Sequence, residues 1–91
     1  MNIKEVKQLW DKFQRECWEI FESRNKDYAD SDDCFVNFKR QAQLEGKSMF
    51  DIALQYINGK VVRINMRGKT AKDDNFIDLA NYNFICYLMK K

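Results

Sequence analysis

Two aspartates, Asp74 and Asp78, stand one helical turn apart in the most apolar stretch of this 91-residue chain. Carboxylates in such surroundings must reach solvent, pair with cations or hold a metal, because an isolated buried charge is too costly. Asn81 falls on the same stripe, since positions i, i+4 and i+7 share a helical face. Lys60, Arg63 and Arg67 form a basic stripe upstream. Two readings follow. One is a salt-bridge seam between two helices. The other is an oxygen-ligated Mg²⁺ site, in which carboxylates hold the ion and the basic residues hold an anionic substrate, as phosphate chemistry requires. Glu16, Glu19 and Glu22 would supply its second half, although on the helical wheel only Glu16 borders the apolar stripe while Glu19 and Glu22 turn toward solvent. Asn25-Lys26-Asp27-Tyr28 follows closely. It reads either as a ligand mouth, with Asp27 as a ligand and Tyr28 stacking on a base, or as a helix exit with the tyrosine against the core.

Composition narrows the chemistry further. The chain has no histidine, which removes histidine general bases, Ser-His-Asp and Cys-His arrangements, and every His-containing zinc site. Cys17, Cys34 and Cys86 are odd in number and far apart, matching neither a disulfide framework nor a CxxC pair, and read as reduced thiols of a cytoplasmic protein. A net charge of +2 is too balanced for a protein that binds nucleic acid by neutralising phosphates. No apolar run approaches the ~20 residues of a membrane span, and the first residues lack the apolar core of a signal peptide.

With Pro 0 and Gly 3, the chain has too little turn punctuation for a many-stranded sandwich and favours a few long helices. Ile3, Val6, Leu9, Trp10, Phe13, Cys17, Ile20 and Phe21 recur at helical spacing and predict a first helix from about Ile3 to Arg24. Residues 25 to 33 carry no periodicity and read as a loop. A short helix from Cys34 to Leu44 follows, with Asp32 or Asp33 able to cap its start and Gly46 placed to end it. Ser48 and Asp51 resemble a capping box for a third helix, whose stripe runs through Phe50, Leu54, Ile57, Val61 and Ile64. Gly59 lies inside that helix, which suggests either a close helix contact or open space beside a ligand. After a turn at Arg67-Gly68-Lys69, a last helix begins at Thr70 or Asp73. It is apolar almost all round, so it must be covered on most sides. The expectation is a single all-α domain over residues 1–91, a small four-helix bundle completed as a homodimer or higher homo-oligomer through the C-terminal helix.

Four segments together resemble a known family. Asn25-Lys26-Asp27-Tyr28, Phe35-Val36-Asn37-Phe38-Lys39-Arg40, Lys60-Val61-Val62-Arg63-Ile64 and Ile77-Asp78-Leu79-Ala80-Asn81-Tyr82 are similar, in order, to the patterns of a phage-rich nucleotide-modification-associated domain family. That family looks related to the MazG-like, all-α nucleoside triphosphate pyrophosphohydrolases. The resemblance covers roughly residues 16 to 89 and is most specific in the Asp78-to-Tyr82 block. It implies Mg²⁺-dependent hydrolysis of a nucleoside triphosphate to monophosphate and pyrophosphate. Glu16 and Glu19 would form one metal half, and Asp78 with Asp74 the other, with Glu16 and Asp78 central to catalysis. Lys60 and Arg63 would face phosphates, while Asp27, Tyr28 and Asn81 would bind substrate. The chain departs from the pattern at Asn75, Gly59 and Arg15, where the family carries acids. Those departures admit a second reading: a non-catalytic helical oligomer that binds a nucleotide signal or a host protein.

Overall fold

The computed structural model describes residues 1–28 and 33–91, except for the side chain of Tyr28. The described residues form four helices: α1 over Ile3–Tyr28, α2 over Val36–Glu45, α3 over Met49–Arg67 and α4 over Asp73–Met89. A short 3₁₀ turn at Gly68–Thr70 joins the last two. The all-α, four-helix architecture read from the sequence is what the chain adopts. No helix among the described residues is long and apolar enough to cross a membrane.

Helix ends follow local chemistry closely. The Ser48 side chain accepts the Asp51 backbone N–H at 3.1 Å and caps α3 as its spacing indicates. Gly46 ends α2 at φ 65°, ψ 36°, a left-handed geometry that side chains resist. Before α2, Asp33 accepts the Phe35 backbone N–H at 2.9 Å and holds Lys39 at 2.6 Å. Asp32, the other capping candidate, lies outside the described residues. Asp73 and Asp74 occupy the first turn of α4, where the helix dipole favours negative charge.

Two elements differ from expectation. Helix α1 continues through residues 25–28 instead of breaking at Arg24, with Lys26 in its last turn complementing the dipole. The Asn25-to-Tyr28 stretch is therefore the end of a helix, not a loop. The buried face of α3 is also rotated from the expected stripe. Ile52 and Ala53 are its fully buried residues, whereas Phe50, Leu54 and Val61 are between 38% and 48% exposed. The face that packs runs through Met49, Ile52, Ala53, Ile57 and Lys60, so it holds a small residue and a cation that a purely hydrophobic stripe passes over.

The core lies where α2, α3 and α4 meet, at Phe38, Ala42, Ile52, Ala53, Ile85 and Cys86, with Phe21 of α1 packed against it. Helix α4 is the central element: it lies along α3 on one side and α1 on another, burying Ile77, Asp78, Ile85 and Cys86. Gly59 has nothing within 4 Å of where a Cβ would stand, which removes the close-contact explanation for it. Gly59→Ala is therefore expected to stabilise the fold by roughly 0.5–1 kcal/mol through helix propensity alone, read as a higher midpoint in urea.

Candidate functional site

Asp78 is the buried charge of the described structure, with 6% of its surface exposed. It is paired on both sides. Arg24 Nη1 of α1 donates to Oδ1 at 2.5 Å, and Lys60 Nζ of α3 donates to Oδ2 at 2.8 Å. One carboxylate thus ties three helices together. Burial pushes its pKa up, but the hydrogen bonds and positive charges of Lys60 and Arg24 outweigh burial and hold it below the usual carboxylate range. Asn81, one turn further on, donates from Nδ2 to the Cys17 carbonyl at 3.1 Å and ties α4 to α1 a second time.

Beside this triad lies a cavity of about 290 Å³ framed by all four helices. Its apolar walls come from Phe21, Phe38 and Ile85, and its tyrosines from Tyr56 and Tyr82, whose rings stack at 5.1 Å with 10° between planes. Tyr56 donates its hydroxyl to Gln41 Oε1 at 2.5 Å. Asn25, Asn37, Gln41 and Asn81 place four side-chain amides around the same space, and Arg24 and Asp78 close its charged side. Burial, followed by the Asp78 charge, pushes the Tyr82 hydroxyl up, so it is a protonated donor at neutral pH. The pocket therefore offers flat aromatic surface, amides of which Gln41 and Asn81 are already bonded to Glu45, Tyr56 and the Cys17 carbonyl, and one guanidinium at its rim.

The expected site residues divide in this setting. Asp78, Lys60 and Asn81 come together, and the salt-bridge seam between the third and fourth helices exists in the Lys60–Asp78 pair. Glu16 is half-exposed on α1 and lies 3.8 Å from Lys12. Glu19, Asp27, Arg63 and Asp74 are exposed, and the side chain of Tyr28 lies outside the described residues. Among the described residues, no group of three carboxylates or thiols converges as a metal would need. Both Asp78 oxygens are already engaged by cations, so the donor set present does not fit Mg²⁺. Cys17, Cys34 and Cys86 are free thiols, and burial raises the pKa of Cys17 and Cys86, which keeps both protonated and unreactive.

Sequence reasoning missed Arg24, Asn37, Gln41 and Tyr56. Arg24 was legible in principle, because it continues the Phe13, Cys17 and Phe21 face at i+4 and i+3 steps and so had to point inward. The α2 amides carried no such signal. They become site residues only through the packing of α2 against α3. Comparison with protein-family models, with curated proteins and with solved structures gives no match.

Proposed function

We propose that the chain is a nucleotide-binding protein whose ligand occupies the cavity between the four helices. The observation that carries this reading is the combination of stacked tyrosines, four amides and a rim guanidinium around one space of about 290 Å³. That volume lies near the lower end for small-molecule sites, which suits a base and part of its sugar. A base would stack on the tyrosine pair, and its edge would be read by Asn37, while Gln41, whose Nε2 donates to Glu45 at 2.7 Å and whose Oε1 accepts from Tyr56 at 2.5 Å, holds the tyrosine in place. Phosphates would extend to the mouth, where Arg24 is half-exposed and where Arg24, Lys60 and Asp78 together leave one net positive charge. The ordered resemblance to nucleotide-modification and MazG-like proteins supports the same substrate class.

The proposal is of binding without hydrolysis. The pyrophosphohydrolase reading implied by the resemblance needs Glu16, Asp74 and Asp78 around a common ion, whereas both Asp78 oxygens are engaged by Arg24 and Lys60 and no three such groups converge among the described residues. This favours a binder of nucleotides or nucleotide signals over a hydrolase.

Thermal denaturation against a panel of nucleosides, monophosphates and triphosphates, with and without Mg²⁺, tests both. A ligand at about 100 times its Kd adds ~2.7 kcal/mol, which for a domain of this size raises Tm by roughly 10–15 °C. Asn37→Ala, at an exposed side chain on the rim of the cavity, should remove most of that shift while leaving the ligand-free Tm nearly unchanged. A flat panel at millimolar nucleotide would end the binding reading. Pyrophosphate release that Asp78→Asn abolishes would restore the hydrolase.

A further inference from the structure

The first half of α1 has no tertiary cover. Every residue from Met1 to Lys12 is exposed, although Ile3, Val6, Leu9 and Trp10 continue the face that further along packs on α4. Leu9 and Trp10 are 51% and 52% exposed, and Trp18 is 56% exposed. Between α1 and α4 runs an apolar groove of about 520 Å³, walled by Trp10, Phe13, Trp18, Phe21 and Phe84. The chain is too extended for its mass. Its radius of gyration is 14.8 Å, against about 12 Å for a compact domain of this length. Its accessible surface is 7051 Å², against roughly 5,600 Å² for a folded monomer of 11.0 kDa. The excess, roughly 1,400 Å², exceeds the ~800 Å² that each partner contributes to a standard interface.

Charge along α1 selects the occupant. Up to Arg15, α1 carries Lys4, Lys7, Lys12 and Arg15 against Glu5 and Asp11; beyond it, Glu16, Glu19, Glu22 and Asp27 stand against Arg24 and Lys26. Arg24 is moreover engaged by Asp78. The helix is thus basic in its first half and acidic in its second, the pattern that matches itself only when two copies run antiparallel.

We infer that the protein is a two-fold symmetric homodimer in which the projecting half of α1 lies in the α1–α4 groove of a second copy, and reciprocally. One contact made twice closes the assembly at two chains. Each basic half meets the partner's acidic half, while Val6, Leu9 and Trp10 supply the apolar centre. The interface is therefore centred on α1, where uncovered apolar surface is concentrated, and α4 enters it through the groove side that bears Phe84.

Light scattering after size exclusion, from about 1 to 100 µM, should give twice the 11.0 kDa chain mass. Leu9→Glu should weaken association at least 30-fold, as expected for a charge placed at an interface centre, while leaving the helical circular dichroism intact. Two charge-reversed chains provide the specific test. Lys4→Glu with Lys7→Glu, and Glu19→Lys with Glu22→Lys, should each be monomeric alone and form a dimer when mixed. A wild-type monomer across the whole range would overturn the inference. So would a dimer that tolerates Leu9→Glu but is broken by Val61→Glu on α3, or a larger assembly. Binding of the monomer to anionic lipid vesicles through the same face would also overturn it.

Discussion

Replacing Ile52 by alanine is expected to destabilise the protein by about 3–4 kcal/mol. Ile52 is 0% exposed and lies at the junction of α2, α3 and α4, within a core otherwise made of Phe38, Ala42, Ala53, Ile85 and Cys86. Its loss removes the transfer free energy of three carbons and leaves a void that these few neighbours cannot all collapse upon. A chain of this length has about 5–14 kcal/mol of stability in total, so the change removes roughly a fifth or more of it. Urea titration should show a midpoint lowered in proportion, with an unchanged slope. Leu44→Ala is the natural contrast. Leu44 is 87% exposed despite its apolar character, and its truncation should shift the midpoint by less than about 0.5 kcal/mol.

The second large effect belongs to Asp78. Asp78→Ala would leave Lys60, only 16% exposed at its side chain, without its partner, and would release Arg24 from the three-helix tie. Removing one member of a buried charge set costs about 3–5 kcal/mol. Arg24 is close to half-exposed and regains water readily, which places this case near the lower end, about 3 kcal/mol. Replacing all three by apolar residues should cost far less than Asp78→Ala alone, because no charge is then left buried. The pH dependence carries the same signature. The folded-state pKa of Asp78 is depressed, so its stabilisation is complete above the unfolded carboxylate value near 4 and is lost as pH falls through the lower folded value. Stability measured by urea titration between pH 7 and 2 should fall steeply below about pH 4 in the native chain. In Asp78→Asn this part of the acid dependence should disappear.

Helix types and caps were legible because they depend on neighbours in sequence. Ser48, Gly46 and the turn at Gly68 act within a few residues of where they stand, and each does so in the structure. Faces were harder. The α3 stripe through Phe50, Leu54, Ile57, Val61 and Ile64 follows hydrophobicity alone and shares Ile57 with the packed face, which also needs Ala53 for close approach and Lys60 for Asp78. At the candidate site, Asp78 could be singled out by its surroundings, and Lys60 by lying on the neighbouring helix. Their partner Arg24 lies 54 residues from Asp78, and only the antiparallel course of α1 along α4 brings it there. Asn37 and Gln41 are more remote still from any local rule. Nothing in the α2 sequence distinguishes an amide that faces water from one that faces a cavity.

Helix α1 joins two regimes in one continuous rod. Its second half is held by Asn81 at the Cys17 carbonyl and by Asp78 at Arg24, so opening it requires breaking tertiary structure. Its first half rests only on its own hydrogen bonds, short-range pairs such as Lys7–Asp11, and propensity. Within a single chain, the free energy of local opening along α1 therefore rises from near zero at Ile3 toward the global value past Cys17. The same secondary structure is thus marginal at one end and as durable as the fold at the other.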